Sequence, residues 1–139
     1  ILQFGGNMIP QTENPSTISG YVRSTLRQQV SYLRACAPEA SILFIGPSDM
    51  STRIDGEMVT YPLVPYMDKL LKKMAEEEQI AYWSMYDAMG GQNSMVKWVE
   101  IGWAGSDYVH FTRAGANKVG KMLYDWLMNY QPQPLNANL

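Results

Sequence analysis

The segment SILFIGPSD contains an unbroken apolar run, Ile42–Ile45, that ends at Gly46 and Pro47. A strand that is apolar at every position is covered on both faces, as in a parallel sheet between two layers of helices. Two similar apolar segments lie elsewhere in the chain, and we predict strands at Ile1–Phe4 and Ile80–Met85 as well. The chain is therefore expected to build its core around a parallel sheet.

Helical periodicity alternates with these strands. Apolar residues three or four apart predict helices, with Ser16 or Thr17 capping the first and Thr112 capping the last. We expect a polar loop between Gly46 and the second helix. The strand–helix alternation predicts an α/β fold of three layers, with helices on both faces of a parallel sheet. The predicted helices run over Ser16–Ala37, Pro62–Glu78, Ser94–Glu100 and Arg113–Asn129.

Size and composition exclude several classes of protein. The 139 residues are enough for one domain, which we place at residues 1–130, with a tail at 131–139. The net charge is −2 and the eleven Lys and Arg are scattered, so no basic surface for nucleic acid is expected. No apolar run reaches the ~20 residues of a membrane span. One His and one Cys make a structural zinc site unexpected.

The candidate site lies at the carboxyl ends of the strands, where ligands bind in parallel α/β sheets. Three segments follow the predicted strands, at Gly5–Asn7, Gly46–Asp49 and Tyr86–Gly91. The loop that contains Asp107 and His110 leads into the last helix. We expect it to fold over the same end of the sheet, where the carboxyl ends of the strands form a rim.

Asp107 and His110 are three residues apart, and His110 is the only histidine in the chain. A neutral imidazole accepts a proton from a nucleophile near neutral pH. A carboxylate that binds its other nitrogen sets the tautomer and stabilises the imidazolium. The alternative is a loop with a partly exposed histidine, and on spacing alone that alternative is the more common one.

Asn7 follows a predicted strand and two glycines, so its amide is a candidate oxyanion donor. The alternative is a Gly-Gly-Asn turn. A nucleophile is harder to find, because the chain contains neither Gly-x-Ser-x-Gly nor Gly-Asp-Ser. Ser48 and Ser106 are the serines at plausible rim positions, and Ser48 with Asp49 is more typical of a turn.

Three segments together resemble the SGNH hydrolases, also called GDSL-type esterases and lipases. In FGGN, Gly5 and Asn7 match that family's G-x-N-D block, although Met8 stands where Asp is usual. ILFIGPSDM resembles the strand and Gly-Pro turn between blocks. DYVHFTRAGANKVGKMLYDWL resembles the last block, with Asp107 and His110 as its D-x-x-H.

The resemblance implies a flavodoxin-like α/β/α fold with a five-stranded parallel sheet. It implies ester hydrolysis in which His110 is the base, Asp107 orients it, and Asn7 is an oxyanion donor. The expected substrates are esters of small acyl groups, such as acetyl on a carbohydrate. No metal or organic cofactor is implied, and the family analogy favours a secreted or periplasmic protein.

The family's Gly-Asp-Ser block is absent, and so is the block that supplies an oxyanion glycine. We therefore expect a C-terminal part with about three of five strands, inactive alone because the nucleophilic serine lies outside it. The strand at Ile1–Phe4 would then pair with the missing N-terminal segment or with another copy.

Two other functions were weighed against the esterase. One is a non-catalytic module of the same fold that binds a carbohydrate or a protein. The other is a nucleotide-binding domain, which the lack of a glycine-rich loop before a helix disfavours. Trp98, Trp103 and Tyr108 precede His110 and either line a substrate pocket or pack the loop onto the sheet.

Overall fold

A computed structural model describes residues 1–11 and 14–130. Five strands and five α-helices occur in this part of the chain, and a short 3-10 helix, Gly6–Gln11, follows the first strand. In chain order they are β1 (Leu2–Gln3), α1 (Pro15–Cys36), β2 (Leu43–Ile45), β3 (Ser51–Ile54), β4 (Glu57–Thr60), α2 (Val64–Glu77), β5 (Ala81–Trp83), α3 (Met85–Met89), α4 (Ser94–Glu100) and α5 (Arg113–Asn129).

The central sheet is parallel and has the strand order β1-β2-β5. Leu2 pairs with Phe44, and Phe44 pairs in turn with Tyr82. All three residues of β2 are buried, as its continuous apolar sequence predicts. The predicted parallel α/β sheet is thus confirmed, and β1 forms one of its edges within the described chain.

Helices cover both faces of the sheet. Alternate residues of β2 point to opposite faces, and each set packs against a different group of helices. Phe44 packs on one side with the buried residues of α1 and α2. Leu43 and Ile45 pack on the other side with residues of α3, α4 and α5. This arrangement gives the three layers expected from the sequence.

Several predicted boundaries were wrong. The two outer strands are shorter than predicted, and Met85 belongs to α3 rather than to β5. The first helix is capped by Asn14, whose side chain accepts a hydrogen bond of 2.9 Å from the N–H of Ser16. Proline suits the first helical position because it has no N–H to leave unpaired, so the helix begins at Pro15.

The loop predicted after Gly46 is in fact an antiparallel hairpin, β3–β4. Its turn residues Asp55 and Gly56 both have positive φ, of 50° and 88°. Asp-Gly is a favoured pair for a two-residue hairpin turn. The sequence RIDGEM therefore contains a hairpin signal, and the prediction of a loop did not take it into account. Residues 131–139, predicted to be a tail, lie outside the described residues.

In the described residues, none of the helices combines the length and the apolar character that crossing a bilayer requires.

The last helix packs tightly against the loop before it at Gly115. A β-carbon built at Gly115 would lie 1.8 Å from the carbonyl oxygen of Trp103, which is backbone and cannot rotate away. We expect Gly115→Ala to lower the free energy of unfolding by about 1–3 kcal/mol, because such overpacking outweighs the gain in helix propensity. Urea unfolding measures this change.

Gly120 provides the matched control in the same helix, because a β-carbon there meets nothing within 4 Å. We expect Gly120→Ala to stabilise the protein by about 0.5–1 kcal/mol. Equal effects of the two substitutions would contradict the close packing of Gly115 on Trp103.

Candidate active site

The loop at residues 102–112 is fastened by its own backbone hydrogen bonds. The N–H of Gly105 donates to the carbonyl of His110 over 2.8 Å, and the N–H of Tyr108 donates to the carbonyl of Gly105 over 3.0 Å. At its end the N–H of Thr112 donates to the carbonyl of Trp103 over 3.0 Å. The Thr112 side chain then caps α5, as predicted. These hydrogen bonds therefore define the shape of the loop.

Within this loop, Asp107 holds the ring of His110. Its Oδ2 lies 2.8 Å from Nδ1 of His110, and its Oδ1 accepts from the N–H groups of Val109 and His110, at 3.0 Å each. A carboxylate only accepts, so in the neutral imidazole Nδ1 carries the proton and Nε2 keeps its lone pair. The side chain of His110 is 82% exposed. The loop thus presents a basic nitrogen to an incoming group.

These hydrogen bonds hold the pKa of Asp107 at about 2. The largest contribution comes from the N–H of His110, followed by its imidazole and the N–H of Val109. Because the folded pKa lies below the ordinary value of about 4, the stabilising effect is present above that ordinary value. It is lost as the pH falls toward 2.

We therefore expect the amide resonances of Val109 and His110 to move together on acidification, with a midpoint at about pH 2. An NMR titration from pH 5 downward measures this, and Asp107→Asn should abolish the transition. A midpoint near the ordinary carboxyl value would show that the contacts do not hold in solution.

Asn7 lies in the 3-10 helix that follows β1. The chain turns into this helix at Gly5, which has φ of 111° and would place a β-carbon 3.1 Å from Cδ1 of Leu71. The positive φ favours glycine there, and a β-carbon would also require the Leu71 side chain to shift by a few tenths of an ångström. Asn7 is exposed, so its amide is available to a ligand.

Asn7 and Ser48 line one open cavity of about 580 Å³. They follow the neighbouring strands β1 and β2, whose carboxyl ends meet at the same rim. The other walls are the edge residues Gln3 and Phe4 and one side of α1, including Tyr21. The cavity therefore runs along the outer edge of the sheet, beside the rim.

His110 is not among the residues that line this cavity. Its loop is joined to the same rim, because the N–H of Ser51 donates to the carbonyl of Tyr108 over 3.1 Å. Val109 also packs against the core cluster that contains Ile9, two residues after Asn7. The chain that follows β2 is thus connected to both predicted site segments, sharing the cavity with Asn7 through Ser48 and bonding the loop of His110 through Ser51.

Neither candidate serine is bonded to the histidine. In the part of the chain that the structure describes, the ring of His110 has its hydrogen bond with Asp107. Ser48 is half-buried in the cavity wall, and Ser106 is exposed next to Asp107. The described residues provide an oriented base but no serine hydrogen-bonded to it.

Trp98 and Trp103 support the packing alternative. Trp98 is buried, and its indole N–H donates to the carbonyl of Met89 over 3.1 Å. Its ring contacts those of Trp103 and Phe111, with centroids 5.1 and 5.4 Å away. Lys118 Nζ lies 5.4 Å from the centre of the Trp103 ring. These two tryptophans fasten the loop to the sheet.

Two features of this rim escaped the sequence reasoning. Tyr108 has φ of 59°, an unusual conformation for a residue other than glycine. Asp49, predicted to lie in a turn, is fully buried. Gly-Pro-Ser-Asp gives no signal that distinguishes an exposed from a buried aspartate.

No protein-family model matches the chain, and no curated protein matches it. The solved structures that are similar to this chain include two esterases. A peptidoglycan O-acetylesterase superposes with a TM-score of 0.77 at 28% identity, over 91% of this chain and 36% of that one. The esterase domain of the ORF1 protein from the zebrafish ZfL2-1 retrotransposon superposes with a TM-score of 0.60 at 16% identity, over 81% of this chain and 60% of that one.

The second similarity, at 16% identity, bears on the fold alone. Both similar structures are described as esterases. This chain spans about a third of the O-acetylesterase chain and three fifths of the retrotransposon domain.

Proposed function

We propose, since the chain has the fold of an SGNH-type esterase, that it carries the base and an oxyanion donor of an ester hydrolase. The observation that carries this proposal is the 2.8 Å contact between Nδ1 of His110 and Oδ2 of Asp107 in an exposed loop. The likeness to the peptidoglycan O-acetylesterase, at 28% identity, supports ester hydrolysis as the class of reaction.

In the proposed mechanism, Nε2 of His110 accepts the proton of a serine hydroxyl as the serine oxygen attacks the ester carbonyl. Asp107 holds the ring and stabilises the imidazolium that forms. The imidazolium then gives its proton to the departing alcohol oxygen, leaving an acyl-enzyme. Water hydrolyses this intermediate, with His110 again acting as the base.

Asn7 supplies an N–H donor to the oxyanion of the tetrahedral intermediate. Its amide is uncharged and exposed after the end of β1, and it lines the same cavity as Ser48. Such a donor acts on charge that develops in the transition state, so it raises kcat more than it tightens substrate binding.

The nucleophile, in this proposal, comes from a segment outside the 139 residues, seated along the edge of β1. Two observations support this place: β1 is an edge strand of the described sheet, and a cavity of about 580 Å³ runs beside it. An unpaired edge offers backbone N–H and C=O groups to an added strand. The added strand would end at the rim that holds Asn7.

This proposal predicts that the chain alone associates. We expect light scattering to give a mass above the 15.7 kDa of one chain. The reason is that the edge strand has unpaired backbone N–H and C=O groups and the cavity beside it has exposed apolar surface, both of which favour association. Tyr21→Lys, in the cavity wall, should restore the monomer. Tyr32→Lys is the matched control, since Tyr32 is similarly exposed on the same helix but lies outside the cavity. A stable monomer of the unaltered chain would contradict the proposal.

The proposed substrates are esters of small acyl groups, such as acetyl on a carbohydrate. This part of the proposal is supported by the similar solved structure, which is a peptidoglycan O-acetylesterase. The substrate class is transferred to this chain by analogy of fold. The second candidate is a non-catalytic binding module of the same fold, favoured by the lack of a serine bonded to His110 in the described residues.

A serine-directed fluorophosphonate probe separates these candidates. We expect a longer protein that contains this chain to be labelled at a serine outside residues 1–139, and Ser48→Ala and Ser106→Ala to leave labelling unchanged. Loss of labelling in Ser48→Ala would move the nucleophile into this chain. A longer protein that is folded but never labelled would favour the binding module.

A further inference from the structure

Asp49 ties the chain after β2 to the start of α4. Its side chain is fully buried, and its Oδ2 accepts from the N–H of Met95 over 2.8 Å and from the hydroxyl of Ser94 over 3.3 Å. Burial raises the pKa of Asp49. Burying a carboxyl group is costly unless it forms hydrogen bonds, so these two bonds fix where this segment lies.

The same segment holds the loop that carries His110. Ser51, two residues after Asp49, donates its N–H to the carbonyl of Tyr108 over 3.1 Å. Tyr108 is the residue with φ of 59°, and it lies two residues before His110. A strained conformation persists only when neighbouring contacts enforce it. The Ser51 contact is one of these.

The β3–β4 hairpin is also bonded to the segment that leads into α4. Thr60 pairs with Ser51 across β3 and β4. The N–H of Thr60 donates to Oδ1 of Asn93 over 3.0 Å, and the N–H of Asn93 donates to Oγ1 of Thr60 over 2.7 Å. Asn93 immediately precedes α4. The start of α4 is thus bound to Asp49, which lies two residues before the hairpin, and to Thr60 within it.

We propose that Asp49 is a positioning residue for His110, acting through the segment Asp49–Ser51 and the carbonyl of Tyr108. This inference rests on the proposed role of His110. Asp49 also follows Ser48, which lines the cavity together with Asn7. In this proposal Asp49 connects the cavity wall at Ser48 to the loop of His110 without touching the substrate itself.

The chemistry of the bonds predicts which substitutions are tolerated. Asp49→Asn keeps an oxygen for the N–H of Met95. In the described part of the chain Oδ1 of Asp49 makes no hydrogen bond of good geometry, although the Thr60 side chain lowers the pKa of this carboxyl, so an amide nitrogen at that position keeps both bonds of Oδ2. Asp49→Ala removes the acceptor and leaves a buried N–H unpaired. Asparagine should therefore rescue what alanine loses.

Asp68 is the matched control, because it is a second buried aspartate with two donors. It is 4% exposed and accepts from the hydroxyls of Tyr82, at 2.7 Å, and Ser84, at 2.8 Å. Neither of these donors contacts the loop of His110 through a hydrogen bond that the structure shows. Asp68→Ala thus reports the general cost of emptying a buried carboxyl site.

The test compares Asp49→Ala, Asp49→Asn and Asp68→Ala in the full chain by NMR. We expect the amide of Ser51 to exchange about tenfold faster in Asp49→Ala than in Asp68→Ala, relative to global unfolding in each. The fraction of His110 with its proton on Nδ1 should also fall in Asp49→Ala alone. Both readouts should return to the unaltered values in Asp49→Asn.

Equal exchange of the Ser51 amide in the two alanine variants would overturn the proposal. The proposal would also be overturned if the Ser51 amide exchanged as fast in Asp49→Asn as in Asp49→Ala, because the acceptor oxygen would then not hold the segment in place. If Asp49→Ala fails to fold, Ser94→Ala is tested in its place. We expect the Ser51 amide to exchange faster in that variant, by less than in Asp49→Ala. An unchanged exchange rate would overturn the proposal. These readouts need no turnover, so a failure here is distinct from a failure of the esterase proposal.

Discussion

His110→Ala is expected to reduce ester hydrolysis by about 10⁶-fold in kcat, in a protein that also contains the nucleophile. The substitution removes the nitrogen that Asp107 orients, and the serine hydroxyl then has no base. Hydrolysis of p-nitrophenyl acetate measures the loss. Asp107→Asn should cost about 10⁴-fold, because the ring is retained but its favoured tautomer is lost.

The fold should survive His110→Ala, which makes the activity loss interpretable. The side chain is 82% exposed, and its backbone N–H, which also bonds to Asp107, is unaffected by the substitution. We expect unfolding by urea to change little, since exposed substitutions usually shift stability by less than about 0.5 kcal/mol. Turnover within tenfold of the unaltered protein would remove His110 from the mechanism.

Asn7→Ala is expected to lower kcat by about 10²–10³-fold while KM stays nearly constant. The reason is that the amide donates to an oxyanion that exists only along the reaction path. Gln29→Ala is the matched control, because Gln29 is another exposed amide that lines the same cavity, but from α1 rather than from the rim. Equal effects of the two substitutions would argue against an oxyanion role for Asn7.

The sequence was most informative where local chemistry decides the structure. The bounds of α4 and α5 agree with the prediction, and Thr112 caps α5 as expected. The continuous apolar run at β2 correctly indicated a buried parallel strand. Asp107 and His110 are three residues apart in one loop, so the contact between them needed no knowledge of the fold.

The sequence was least informative where distant segments meet. The bonds from Asp49 to Ser94 and Met95 join residues some 45 positions apart, and no local pattern encodes them. The β3–β4 hairpin was missed because its strands are half-exposed and polar, which obscured the Asp-Gly turn signal. The proposed convergence of the Asn7 and His110 segments depends on how the sheet is connected, and neither segment encodes it alone.

The central claim is that Asn7 and His110 converge at one end of the sheet, and paramagnetic NMR tests it most directly. A nitroxide is attached at Ser106→Cys, beside Asp107 in the histidine's loop, with the exposed Cys36 changed to Ser. Gln79, which immediately precedes the segment entering β5 at the opposite end of the sheet, is the internal control. The account predicts that the nitroxide broadens the side-chain amide signals of Asn7 and leaves those of Gln79 sharp. Sharp Asn7 signals would contradict it.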